Sequence, residues 1–144
     1  MLSLSNVFSD EDFYKFEERV LKRLNTDKTI FSVEPKFDGI GISLTYENGK
    51  LSKAVTRGDG ETGEVVTDNI KTIVKVPHVI KHSSPKTIEI RGEVFFRLDD
   101  FSNINSKLEA DNLKTFVSPR NAAAGTLRNL DIKIVKQRPL DIFF

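Results

Sequence analysis

Three residues able to do chemistry stand close together in Glu34-Pro35-Lys36-Phe37-Asp38-Gly39: an amine between two carboxylates, with a glycine behind them. An amine attacks an electrophile only when deprotonated, and removal from water favours the neutral form of a lysine. The short apolar run Ile30 to Val33 precedes the group and reads as a buried strand, which would set Lys36 at a strand end near the interior. Nucleophilic catalysis by Lys36 is then the sharp reading. A snorkelling or salt-bridged lysine is the plain one.

A second chemical stretch is Arg57-Gly58-Asp59-Gly60-Glu61-Thr62-Gly63. Its glycine spacing matches a dinucleotide fingerprint in form, but it follows the return strand of a hairpin, without a parallel βαβ unit or a P-loop lysine. Arg57-Gly58-Asp59 also spells an adhesion tripeptide, in a chain with no secretion signal. His78 and His82 are four apart, yet Pro77 and Ser83-Ser84-Pro85 put them in a loop, where that spacing does not converge on a metal. No metal ligand is assigned. From Lys114 to Arg138 the cations Lys114, Arg120, Arg128, Lys133, Lys136 and Arg138 face Asp131 alone, an excess suited to phosphates or simply to solvent.

The elements that must position these residues can be read in order. Ser9 with Asp12 opens a helix on which Phe13, Phe16, Val20, Leu21 and Leu24 share one face. Ile42, Leu44 and Tyr46 alternate into Asn48-Gly49, a two-residue hairpin turn that pairs Glu47 with Lys50, Tyr46 with Leu51 and Ile42 with Val55. The return strand ends at Thr56-Arg57, and residues 65–73 suit a short helix. Thr87 to Arg97 is a strand, bulged or closely approached at Gly92. A second long helix covers Phe101 to Leu108, and Ser118-Pro119 caps a third, whose Ala122-Ala123-Ala124-Gly125 admits close packing. Pro139 to Phe144 is a strand at the end of the sequence, which suggests further sequence beyond it.

The 144 residues suffice for one core, and 30% charged with 38% hydrophobic residues suits a soluble α+β domain. A net charge of +1 neither favours nor excludes nucleic acid as a partner. The chain has no cysteine, hence no disulfide framework or thiolate metal site. There is no signal peptide and no run able to span a bilayer, so the expected location is the cytoplasm.

Four motifs occur in order: Glu34-Pro35-Lys36-Phe37-Asp38-Gly39; Thr56-Arg57-Gly58-Asp59-Gly60 with Thr62-Gly63-Glu64; Arg91-Gly92-Glu93; and Pro119-Arg120-Asn121-Ala122-Ala123-Ala124-Gly125-Thr126-Leu127-Arg128. Lys-x-Asp-Gly resembles motif I of the covalent nucleotidyltransferases. The whole set, with Met1 to Asn6, resembles the adenylation domain of bacterial NAD-dependent DNA ligases over nearly the entire chain. The resemblance implies an α+β, ATP-grasp-like nucleotidyltransferase core of the DNA ligase and mRNA capping enzyme superfamily, mainly antiparallel sheets with flanking helices. It implies that residues 1–144 are part of that domain. The family's upstream helical domain for nicotinamide mononucleotide, its downstream phosphate-clamping lysines, and its OB-fold, zinc-finger, helix-hairpin-helix and BRCT modules would lie outside them.

By the same resemblance, Lys36 attacks NAD to give lysyl-AMP and release nicotinamide mononucleotide. AMP then passes to the 5′-phosphate of nicked DNA, and a phosphodiester forms, in DNA replication and repair. Lys36 and Asp38 would be catalytic, Asp38 in the later joining step. Ser3, Leu4, Glu34, Lys36, Arg57 and Glu93 would bind the nucleotide. Arg120 and Arg128, about 80° apart if both are helical, would face the DNA backbone in one groove. Mg²⁺ or Mn²⁺ would assist, NAD and nicked duplex DNA would be the partners, no membrane would be involved, and the protein would act as a monomer. Without the clamping lysines, the isolated chain is expected to be impaired or nearly inactive in ligation. Pro35 and Phe37 stand where the family commonly has aliphatics, and Ser118 where it often has asparagine. An ATP-using ligase or capping-type transferase, or a non-catalytic nucleotide- or DNA-binding remnant, are the alternatives.

Overall fold

The computed structural model describes residues 6–80 and 85–144. They fall into two compact units, Met1–Lys36 and Phe37–Phe144.

The first unit is one helix and a return segment. Helix α1 (Asp10–Leu24) starts where Ser9 Oγ accepts from the Asp12 amide at 3.2 Å. The reciprocal contact of the capping pair is made one residue early, from the Phe8 amide to Asp12 Oδ2 at 3.5 Å. Asp10, Glu11 and Asp12 occupy the first turn, with Lys22 and Arg23 in the last, each complementing the helix dipole. Asn25 ends the helix in the left-handed region (φ 51°). Phe31 returns to meet Phe13 and Phe16, with ring centroids at 6.1 and 5.8 Å. No residue of α1 is fully buried.

The strand expected at Ile30 to Val33 is not formed. Those residues have no regular structure, and Ile30 and Val33 are 98% and 92% exposed. Three apolar residues and Ser32 make a strand only if an edge pairs with them, and none of the four pairs with any strand of the sheet.

The second unit is a four-stranded antiparallel sheet in the order β2-β1-β3-β4: β1 (Ile40–Glu47), β2 (Lys50–Thr56), β3 (Thr87–Phe95) and β4 (Asp141–Phe143). Asn48 and Gly49 take positive φ (49° and 78°), as a two-residue hairpin turn requires. Glu47 pairs with Lys50 and Tyr46 with Leu51, as the turn dictates. The pairing then slips at an irregularity between Thr45 and Tyr46, so Ile42 faces Thr56 and not Val55. Ser52 is the extra residue, and its hydroxyl donates to the Thr45 carbonyl at 3.1 Å. At Gly92 the register of β3 runs on without a bulge. The glycine serves a close approach, since a Cβ there would lie 2.5 Å from the Phe143 carbonyl oxygen.

One face of the sheet carries the core. Ile42, Leu44, Tyr46, Ala54, Val94 and Ile142 pack with Ile70, Ile73, Val76 and Leu127, each full side-chain burial contributing about 1.5–3 kcal/mol. Tyr46 is fully buried and its hydroxyl donates to the Pro77 carbonyl at 2.8 Å. Helix α2 is shorter than expected, Thr67–Ile70 only, after which the chain continues in turns. A second cluster unites Phe96, just after β3, with Phe101 and Ile104 of α3 (Leu98–Ala110), Phe116 of the following loop, and Ala122 and Ala123 of α4 (Pro119–Leu127). Ser118 caps α4 through the Asn121 amide, and the buried alanines bring its backbone close to the sheet. Helix α5 (Ile132–Gln137) leads back to β4. Among the described residues, no helix is long and apolar enough to cross a membrane.

Candidate active site

The open face of the sheet is where the polar motifs meet. Gly41, Ser43 and Thr45 alternate with the core residues of β1, and β3 sets Glu93, Arg91 and Glu89 directly opposite them. An antiparallel sheet packed on one side leaves the other face wet, and these residues are only partly buried or exposed.

The start of β1 is the hub. The Gly39 amide donates to Glu93 Oε1 at 3.1 Å. A Cβ on Gly39 would lie 2.1 Å from the Val94 carbonyl oxygen, so the backbone of β3 can come this close only to glycine. On the other flank, the Arg57 amide donates to the Gly41 carbonyl at 2.7 Å. Asp38 pairs with Arg120 of α4, Nη1 to Oδ1 at 3.3 Å, both side chains well exposed. Residues from four separate motifs thus gather on the segment Asp38 to Gly41: Asp38 itself, Arg57, Glu93 and Arg120.

Arg128 is elsewhere. It is the C-cap of α4 (φ −91°, ψ 1°) and not a helical residue, so the helical angle that would put it on one face with Arg120 does not apply. Its guanidinium pairs with Glu64, just beyond the glycine loop. Arg120 and Arg128 are therefore held by carboxylates from different segments.

Lys36 and Glu34 belong to the first unit, in its closing segment without regular structure. Ser32 Oγ donates to Glu34 Oε1 at 3.2 Å. Lys36 is solvent-exposed, which corrects the expected desolvated setting at a strand end: its strand is absent, and so is the burial. Ser3 and Leu4 lie outside the described residues.

The glycine loop is held by its own acid. Asp59 Oδ1 accepts from the Glu61 and Thr62 amides at 3.0 and 2.7 Å, and Oδ2 from the Thr62 hydroxyl at 3.0 Å. Those bonds, the Thr62 amide first, hold the Asp59 carboxyl below the usual carboxylate value. The amides that a phosphate would need are thus engaged, which leaves the dinucleotide-fingerprint reading without support. On the open face, the Arg91 guanidinium, then the Ser43 hydroxyl, hold the Glu89 carboxyl below its usual value. His78 Nε2 lies 2.9 Å from the Lys71 carbonyl oxygen, and His82 is outside the described residues. Among the described residues no group of three or more His, Asp or Glu is placed to hold a metal ion.

One contribution was not foreseen from sequence. The Phe37 ring stacks on Phe143 (centroids 4.4 Å, 23°) and tilts against Phe95 (4.8 Å, 37°). Only the departure from an aliphatic at this position signalled it.

Comparison with known proteins gives the class and then the family. Residues 1–144, the whole chain, match an adenylation domain. The family is the NAD-dependent DNA ligase adenylation domain, and the chain belongs to it. It is 51% identical over 146 aligned residues to the DNA ligase of Acinetobacter baumannii (strain AYE), covering 99% of this chain and 22% of that protein. To the DNA ligase of Bdellovibrio bacteriovorus it is 49% identical, covering 99% of this chain and 21% of the relative. To that of Brucella ovis it is 47% identical, covering 99% and 20%. The chain spans about a fifth of the length of these relatives.

Proposed function

We propose that this chain forms the adenylyl-accepting part of an NAD-dependent DNA ligase, with Lys36 as the nucleophile. The Lys36 amine loses its proton and attacks the α-phosphorus of the adenylyl half of NAD. A P–N bond forms, the pyrophosphate P–O bond breaks, and nicotinamide mononucleotide departs. NAD is consumed as an AMP donor, and no hydride moves. AMP then passes to the 5′-phosphate of nicked DNA, whose 3′-hydroxyl displaces it to close the strand. The fold would be an ATP-grasp-like nucleotidyltransferase core, and the setting cytoplasmic.

The observation that carries the reading is the convergence of Arg57, Glu93 and Arg120 on Asp38–Gly41, directly after Lys36 in the chain. An exposed amine needs its neighbourhood supplied by cations and phosphates, not by apolar burial. Arg57, beside Gly41, would meet the ribose or a phosphate, and Glu93 and Glu34 the ribose hydroxyls and adenine. Ser3 and Leu4 would complete the nucleotide surface. Asp38, braced by Arg120, would act in the joining step, and Arg120 and Arg128 would contact the DNA backbone from their separate positions. Mg²⁺ or Mn²⁺ would arrive with the substrate phosphates, as this cation usually does, and supply charge stabilisation to the oxygens of the phosphorus under attack.

The test is label transfer. Adenylyl-labelled NAD should mark the protein at Lys36, ATP carrying the same label should not, and Lys36→Ala should stay unlabelled. Labelling by ATP alone would point to the capping-type alternative. Binding of either nucleotide without any adduct would reduce the chain to a non-catalytic binder.

A further inference from the structure

We propose that Phe37 is a positioning residue, whose ring fixes the backbone on which Lys36 is carried. The inference rests on Lys36 being the nucleophile. Three consecutive residues after Lys36 are tied to three different places. The Phe37 ring lies over Phe143 of β4 and against Phe95 of β3, the Asp38 carboxylate is paired with Arg120 of α4, and the Gly39 amide is bonded to Glu93 of β3. Of these, the Asp38 pair is well exposed and contributes little rigidity. The aromatic contact is the one that does not depend on charge or salt.

Its placement suits that role. Glu93 pairs with Phe143 and Phe95 with Asp141, so Phe95 and Phe143 stand diagonally on one face of the sheet with Glu93 beside them. Phe37 bridges the diagonal, and the residue that accepts from Gly39 is flanked by the two rings that hold Phe37. Lys36 is the residue directly before Phe37, its Cα about 3.8 Å away along the chain, so the peptide that Phe37 anchors is the one Lys36 shares. An aliphatic side chain could fill the same volume but has no ring to register against two others. A nucleophile set slightly out of line loses rate far more readily than its enzyme loses substrate.

The experiment compares the 144-residue chain with Phe37→Ala, Phe37→Leu, Phe143→Ala and the Phe37→Ala/Phe143→Ala pair. Two quantities are read: hydrogen exchange at the Gly39 amide, and the single-turnover rate of AMP transfer from NAD against NAD affinity. Phe37→Ala should speed exchange at Gly39 and slow AMP transfer, each by about tenfold, with NAD affinity within twofold of wild type. Phe37→Leu should fall between, and serves in place of the alanine variant if that one fails to fold. The double variant should be no worse than Phe37→Ala alone, because the two rings act as one contact. Unchanged exchange at Gly39 overturns the proposal. So does faster exchange with an unchanged rate, which would make Phe37 mere packing, and so does a loss confined to NAD affinity. If the wild-type chain accepts no AMP at all, the adenylation reading fails, and the exchange measurement alone decides whether Phe37 orders the segment.

Discussion

Replacing Asp141 by asparagine tests how β4, and with it Phe143, is held in the sheet. The Asp141 side chain is only 10% exposed, and Lys75 Nζ lies 2.8 Å from each of its oxygens. Arg97 donates to Oδ2 through Nε and Nη2 at 3.1 and 3.0 Å, and the Ile142 amide donates to Oδ1 at 2.9 Å. Breaking a fully buried ion pair costs about 3–5 kcal/mol. Here the cations are 55% and 63% exposed, so water can take over their solvation, and asparagine still accepts from Ile142. The expected loss is therefore about 1–2 kcal/mol at pH 7. Burial pushes the Asp141 carboxyl up, but the bonds from Lys75, the Ile142 amide and Arg97 outweigh it and hold it below the ordinary carboxylate value. A group depressed in the folded state stabilises fully above its unfolded value, and the contribution is lost as pH falls through the folded value. Urea unfolding at pH 7 and again below about pH 4 should therefore show the gap between wild type and Asp141→Asn closing in acid. A variant as stable as wild type at pH 7, or a gap of equal size at both pH values, would refute this reasoning.

Other perturbations have separate expectations. Tyr46→Phe should cost about 0.5–1.5 kcal/mol in the same unfolding assay, because the bond from the buried hydroxyl to the Pro77 carbonyl is lost while water can reach that exposed residue. Burial raises the Tyr46 phenol above its ordinary value, so its contribution should persist through neutral pH and fade as pH rises through the folded value. Gly39→Ala should destabilise by about 1–3 kcal/mol, since the new methyl meets the β3 backbone, which cannot swing aside as a side chain can. Arg120→Ala should change folding stability by less than about 0.5 kcal/mol, its pair with Asp38 being exposed. In gel assays it should slow AMP transfer to nicked DNA more than self-adenylation.

Local chemistry was legible in the sequence wherever a few neighbouring residues decide the outcome. Ser9 and Ser118 cap their helices, and Asn48-Gly49 sets the hairpin, because each needs only contacts within four residues. The register beyond Tyr46 was not legible, since the slip at Ser52 depends on how a side chain bonds across the pair. Val65 to Ile73 is apolar at helical spacing, yet only Thr67–Ile70 is helical, the residues beyond turning back to bury Ile73 and Val76. Ile30 to Val33 misled for a related reason: apolar character favours burial, but a strand forms only where the backbone pairs with another, and this run pairs with none. At the candidate site, motif order singled out Asp38, Arg57, Glu93 and Arg120; strand pairing sets Glu93 and Arg57 beside the start of β1, and α4 brings Arg120 to Asp38. The Arg128–Glu64 pair and the Phe37 stack were hidden, because each joins residues far apart in sequence that no motif links.

Capture of the adenylyl group of NAD by the amine of Lys36 is the step on which the proposed function depends. Its most direct test is the intact mass of the 144-residue chain after incubation with NAD and Mg²⁺, followed by mapping of any adduct. A gain of one AMP is expected, located on Lys36 and absent from Lys36→Ala. An adduct on another residue, or one that persists in Lys36→Ala, would contradict it.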